Sequence, residues 1–415
     1  MEKIDSKKMY LLLPLLFFIG SARALETESS VTISDLCTID EDPDSSIPFV
    51  ECLCSNRENF TYTSLFVYNI NRITIKGCGS VHLGFDSLSN LHLKQLSFVD
   101  LQSLTLQTFS LFWTEEIENL KIEDVGDLII QQHAFSGLRN VDMVTLKNVT
   151  VQRLPKEAFS SIANVRLMII EGSAFYYIEQ LAFVVQNVTI LKVIDSEFHA
   201  LEDSSFFILE SDVVQFKDCT FETTDNQTFV ISRVDSISFY NCSFEDLAPN
   251  SVQTHNVNTI SFTNSVIEVL HPDAFTGLKV VEKIEFKWNT IRIMYNNSLE
   301  PILAPELKYV EVDFCCNSFT CDCNIFWLWS LKNREILENS TCIEDLSTTV
   351  SLYVPILDSE NICMTLELKS SQYEYHGNTS YKVMIHHMGK ASTASPFQLM
   401  LFIIIGSWFS YYFPK

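Results

Sequence analysis

The chain has 415 residues, with 28 Lys and Arg against 52 Asp and Glu, for a formal charge of −24. That balance excludes nucleic acid and anionic lipid as partners, and it favours solubility and a basic ligand. The length fits one large or two ordinary domains, and twelve cysteines, an even number, suit an oxidising compartment.

The first 24 residues read as a secretory signal peptide. Lys3, Lys7 and Lys8 precede the apolar run Met9 to Ile19, and Ala22-Arg23-Ala24 supplies small cleavage residues. The run is too short to span a bilayer. Residues 25–69 read as an N-terminal cap containing Cys37, Cys52 and Cys54.

From 70 to 319 the chain repeats. SDVVQFKDCTFETT (Ser211 to Thr224) and VDSISFYNCSFEDL (Val234 to Leu247) carry the same apolar-x-apolar phrase and the same Cys-x-Phe. In an eleven-place frame L-x-x-L-x-L-x-x-(N/C)-x-L, the ninth place falls at Cys78, Leu101, Val125, Val149, Ser173, Ser196, Cys219, Cys242, Ser265 and Asn289, in steps of 23 or 24 residues. Ten residues beyond the ninth place stands an apolar residue, usually Phe, as at Phe135, Phe159, Phe183, Phe206, Phe229 and Phe275. An eleventh turn ends in Asn317 and Phe319. Apolar residues two apart make a short strand with one buried face. One turn cannot bury that face alone, so the turns must stack.

This period, with the phrases HAFSGL, EAFSSI and DAFTGL and the flank NSFTCDCNIFWLWSL (Asn317 to Leu331), resembles the extracellular leucine-rich repeat family. The resemblance implies an α/β-type solenoid: a leucine-rich repeat horseshoe with a concave parallel β-sheet and disulfide-capped ends, strand-rich with little regular helix. A parallel β-helix is the structural rival, since it too stacks short strands. The resemblance further implies a C-terminal cysteine-rich cap over 320–366 with Cys321–Cys342 and Cys323–Cys363. At the N-terminal cap it implies Cys37–Cys54 and Cys52–Cys78. Cys219 and Cys242 occupy one inward slot on consecutive turns, within disulfide reach, and are expected as free thiols. Cys315 and Cys316 remain unassigned.

Residues 367–389 read as a polar stalk and 390–415 as an anchor signal. GKASTASP is followed by the apolar tail FQLMLFIIIGSWFSYYF, the pattern of a glycosylphosphatidylinositol attachment at Gly389 or Ser392. A single C-terminal span is the alternative. Eight Asn-x-Ser/Thr sequons, at Asn59, Asn148, Asn187, Asn226, Asn241, Asn296, Asn339 and Asn378, point to a glycosylated ectodomain on the outer face of the plasma membrane.

No nucleophile elbow, zinc-protease motif, phosphate loop or dinucleotide fingerprint occurs. Cys321 and Cys323 lack the second close pair that a structural zinc needs. The reading assigns no catalytic, cofactor or metal residue and expects a non-enzyme. The third, fifth and seventh places of each strand would face the concave surface. There Met143, Leu167, Ile169, Ile190, Ile194 and Val213 replace the polar residues of earlier and later turns, edged by Lys147, Glu171, Lys192 and Lys217. An apolar surface patch marks a contact site; an irregular strand register with part-buried side chains explains it equally. The expected function is adhesion or receptor-like recognition of a protein ligand or co-receptor, with a homophilic contact as a variant. The alternative is a structural component of extracellular matrix or cuticle.

Overall fold

The computed structural model describes residues 37–355, apart from 42–47, 56, 63–69, 86, 89–92, 112–116, 161, 304–309, 321–326, 329–336, 338 and 345–351. All lie in one compact unit, Met1–Thr365. The signal peptide, the stalk, the anchor signal with Gly389 and Ser392, the sequon Asn378, and Cys321, Cys323 and Cys363 fall outside the described residues.

The coil from Phe206 shows how the sequence builds the fold. The strand Phe206–Lys217 turns Phe206, Ile208, Ser211, Val214 and Phe216 inward, and Thr220–Thr224 adds Phe221 and Thr224. Three residues with left-handed backbones set the corners: Glu210 (φ 57°), Asp218 (56°) and Gln227 (57°). Each coil therefore has three sides. The first is Phe206 to Leu209, the second Asp212 to Lys217, and the third Thr220 to Thr224. The corners recur on neighbouring coils at Asn187, Arg233 and Asn256, at Asp195, Asn241 and Asn264, and at Ser204, Asn250 and Asp273. Asn and Asp tolerate this conformation better than other non-glycine residues, which suits a chain with only 11 glycines.

Successive coils pair in parallel without slippage. Phe183, Phe206, Phe229 and Val252 stand in register on the first side. Leu191, Val214, Ile237, Ile260 and Ile284 do so on the second, and Phe198, Phe221, Phe244 and Ile267 on the third. In the earlier coils a turn replaces the first side, as at Gln107–Ser110, and Gln95–Leu106 and Asn119–Ile130 each run continuously over the other two. Antiparallel pairs close the two ends of the described stack: Cys37–Glu41 with Pro48–Leu53, and Thr341–Glu344 with Leu352–Pro355.

This corrects the horseshoe. From Phe183 onward strands run on all three sides of the coil. Among the described residues the only α-helix is Glu300–Leu303. Phe183, Phe206 and Phe229, ten residues past the ninth place, alternate inward along a strand of their own, whereas Phe135, Phe159 and Phe275 point inward from turns. The fold is a parallel β-solenoid, nearly all strand.

Three phenylalanine columns fill the coil. Phe135, Phe159, Phe183, Phe206 and Phe229 stack at 4.4, 4.8, 4.9 and 5.4 Å between ring centres. Phe175, Phe198, Phe221 and Phe244 follow at 5.3, 5.1 and 4.9 Å, and Phe216, Phe239 and Phe262 at 5.0 and 4.7 Å. Burying each ring contributes roughly 1.5–3 kcal/mol, and each ring pair adds about 0.5–1.5. A net hydrogen bond gives about 1 kcal/mol, so one buried ring contributes more to cohesion between coils than one ladder hydrogen bond.

The ninth place forms a buried polar ladder beside them. Ser173 Oγ accepts from Val149 N at 3.2 Å, Ser196 Oγ from Ser173 N at 3.2 Å, and Ser265 Oγ from Cys242 N at 3.1 Å. Asn289 Oδ1 accepts from Ser265 N, and Asn317 Oδ1 from Asn289 N, both at 2.9 Å. The Asn289 amide donates to Phe262 O and the Asn317 amide to Phe286 O, each at 2.8 Å.

The N-terminal disulfides differ from the expected pairing. Cys37 bonds to Cys52 and Cys54 to Cys78, with Cα separations of 3.9 and 4.8 Å. Cys37 and Cys52 are direct partners in the antiparallel pair, so Cys54 is left to reach Cys78 one coil on. Cys315 and Cys316 bond to each other. Cys342 is disulfide-bonded, and the expected partners of the C-terminal cap lie outside the described residues. Bonds of this kind persist in oxidising compartments, so the protein is secreted or extracellular.

Candidate binding face

The second side carries the residues singled out from sequence. Register places Met143, Leu167, Ile190 and Val213 directly beside one another on four consecutive coils. Ile169 stands in the adjacent row between Thr145 and Lys192, and Ile194 in the next, between Glu171 and Lys217. All six are half-buried and alternate with fully buried neighbours such as Met168, Ile170, Leu191 and Val193. Their side chains therefore stand on the outer face, and the strand register is regular. No concave horseshoe surface exists for them to line; the face is one side of a three-sided coil.

Charges edge the patch. Lys147 Nζ lies 3.0 Å from Glu171 Oε1, and the hydrogen bond to Glu171 raises the Lys147 pKa above its ordinary value. Arg166 grips Asp142 through both carboxylate oxygens, with Nη2 2.9 Å from Oδ2. That bond lowers the Asp142 pKa and raises that of Arg166. Lys217 lies 3.6 Å from Asp218. Lys192 forms no ion pair among the described residues. Outside this stretch the same rows hold Asn119, Ser236 and Thr259, so the apolar character is local.

A second apolar row escaped the sequence reading. Val184, Phe207 and Val230 stand in register on the first side, with Leu209 beside Gln186 and Ser232. These side chains are half-buried and point away from Phe183, Phe206 and Phe229. The signal was present as a second apolar-x-apolar pair in three successive coils, Phe183/Val185, Phe206/Ile208 and Phe229/Ile231, eight residues before the first. It marks a strand, and hence an outward residue between each pair.

The sequons ring these faces. Asn148 and Asn241 sit at the corner between the second and third sides and Asn187 at the corner between the first and second, all exposed with left-handed backbones. Asn59, Asn296 and Asn339 are also exposed, whereas Asn226 is half-buried. Each corner amide reaches back one coil: Asn148 Nδ2 to Asp124 at 2.8 Å, Asn187 Nδ2 to Asn164 at 2.6 Å and Asn241 Nδ2 to Asp218 at 2.6 Å.

Among the described residues no group of three or more His, Cys, Asp or Glu could hold a metal ion, and no helix is long and apolar enough to cross a membrane.

Comparison with known proteins agrees with the coil rather than with the horseshoe. Residues 134–283 match the family model described as "Right handed beta helix region". That match, with strands on all three sides, overturns the resemblance to extracellular leucine-rich repeat proteins. No curated protein matches the chain. Among solved structures the chain is similar to one titled "Structure of the Toll - Spatzle complex, a molecular hub in Drosophila development and innate immunity (glycosylated form)", at 11% identity and a TM-score of 0.25, covering 72% of this chain and 54% of that one. The chain thus spans about half the length of that solved chain.

Proposed function

We propose that the protein is a non-catalytic extracellular binding protein that recognises a protein partner through the outer face of its second side. A glycosylphosphatidylinositol lipid at Gly389 or Ser392 holds it on the outer face of the plasma membrane. The in-register row Met143, Leu167, Ile190 and Val213 carries this reading. Four half-exposed aliphatic side chains in line gain nothing from water, and covering them stabilises a complex. The paired charges around them favour one orientation of the partner. A lipid-held ectodomain passes any signal through a co-receptor.

The test begins by screening the secreted ectodomain against cell-surface proteins, the chain itself included. The double variant Leu167→Lys/Ile190→Lys is then measured against each partner retained. Secretion at the parental level with at least about tenfold weaker binding, roughly 1.4 kcal/mol, supports the site. Undiminished binding removes it. Release of the protein from cells by phosphatidylinositol-specific phospholipase C tests the anchor separately, and retention after treatment argues for a protein span.

A further inference from the structure

Cys219 and Cys242 are unjoined thiols, 1% and 2% exposed, at the same inward place of consecutive coils. Their coils meet at this point, with Asp218 N donating to Tyr240 O at 3.0 Å and Ser243 N to Cys219 O at 2.8 Å, and the neighbouring thiol lowers the Cys219 pKa and raises that of Cys242. Each also points at carbonyls of its own and the preceding coil. Cys219 Sγ lies 3.3 Å from Lys217 O and 3.4 Å from Val193 O; Cys242 Sγ lies 3.6 Å from Tyr240 O and 3.5 Å from Phe216 O. After the apolar Leu101, Val125 and Val149, this column becomes a polar ladder of Ser173, Ser196, Ser265, Asn289 and Asn317, whose hydroxyls and amides tie one coil to the next. A thiol is a weak donor and acceptor, so between Ser173 and Asn317 the ladder is weakest where the two cysteines interrupt it.

The same corner closes covalently in the first coils. Cys78, which holds this place there, is bonded to Cys54 at the corner of the preceding coil across a Cα separation of 4.8 Å. Neighbouring strands lie ~4.8 Å apart, inside the Cα range of disulfides. The protein is also made where disulfides form.

We propose that Cys219 and Cys242 are a disulfide-forming site, closing into a covalent link between two adjacent coils in the compartment that forms Cys54–Cys78. The oxidant is the disulfide of a protein or low-molecular-weight thiol of that compartment. Burial places the exchange before the coils close. Cys219 loses its proton and its thiolate attacks the donor disulfide, forming a mixed disulfide and expelling one thiolate. Cys242 then loses its proton and attacks Cys219 Sγ, expelling the second. The two cysteines lose two protons and two electrons, and the donor disulfide becomes two thiols. The link ties the coils of Phe206 and Phe229 together, one coil beyond Ile190 in the proposed binding face.

The full chain, secreted from cells, is denatured without reductant and alkylated with iodoacetamide. It is then reduced, labelled with N-ethylmaleimide and mapped by mass spectrometry. The expected result is N-ethylmaleimide on Cys219 and Cys242, as on Cys54 and Cys78, with the two peptides joined in the unreduced digest. Iodoacetamide on both cysteines overturns the proposal. In Cys242→Ser, which places the column's own Ser beside Cys219, Cys219 is expected to switch to iodoacetamide. Continued N-ethylmaleimide labelling of Cys219 in that variant overturns the pairing.

Discussion

Asn289 shows what one residue contributes to this coil. It is 1% exposed, and its amide oxygen accepts from Ser265 N while its amide nitrogen donates to Phe262 O and Asn317 Oδ1. Replacing it with Ala leaves a buried N–H and a buried carbonyl without partners. Each such orphan costs about 1–3 kcal/mol, so Asn289→Ala is expected to lose about 2–6 kcal/mol in chemical denaturation. Asn289→Ser should lose less, because Ser265 and Ser196 already fill this column with a hydroxyl. Equal losses would mean that the ladder is held by packing alone. The cysteines of the column lack such strong partners, which is why they are the place where a covalent link adds most.

At the scale of the strand, the first side distinguishes a solenoid of strands from a horseshoe most sharply. Phe206 is 1% exposed within the phenylalanine column, and Phe207, its neighbour, is half-buried on the opposite face. Phe206→Lys would bury a charge among rings and is expected to exceed about 4 kcal/mol, preventing secretion. Phe207→Lys should cost about 1 kcal/mol or less and leave secretion unchanged. Equal damage from both would rule out a two-residue alternation there. The second-side strand was legible in sequence because Val214/Phe216, Ile237/Phe239 and Ile260/Phe262 repeat at a fixed step with one buried face. The row Met143, Leu167, Ile190 and Val213 followed from that frame, since outward places alternate with inward ones. The first side was not read as a strand. A Phe once per coil fits a strand or an irregular turn equally, and only the paired Ile208, Ile231 and Val185 reveal the alternation. The cap pairing was illegible for another reason: four cysteines allow three connectivities, and the antiparallel register of Cys37 with Cys52 chooses among them.

Across the whole stack, each coil touches mainly the coil before and after it, so stability is close to a sum of coil and neighbour terms. Register makes this testable. Thr259 stands opposite Lys283, 24 residues on, and Asn258 precedes the one as Glu282 precedes the other. Deleting 259–282 joins Asn258 to Lys283 and removes one full coil while leaving every remaining side chain on its own face. The binding face, Cys219 and Cys242 are untouched. This variant is expected to be secreted, with an unchanged far-ultraviolet strand signal per residue and a single cooperative unfolding transition. Deleting only 259–270 removes half a coil and turns the strands that follow onto the wrong sides, so that Phe286 and Phe314 lose their place on the Phe262 column. That variant should be retained in the cell. Secretion of both deletions, or of neither, would show that cohesion does not run coil to coil, and the neighbour-only account of this molecule would have to be abandoned.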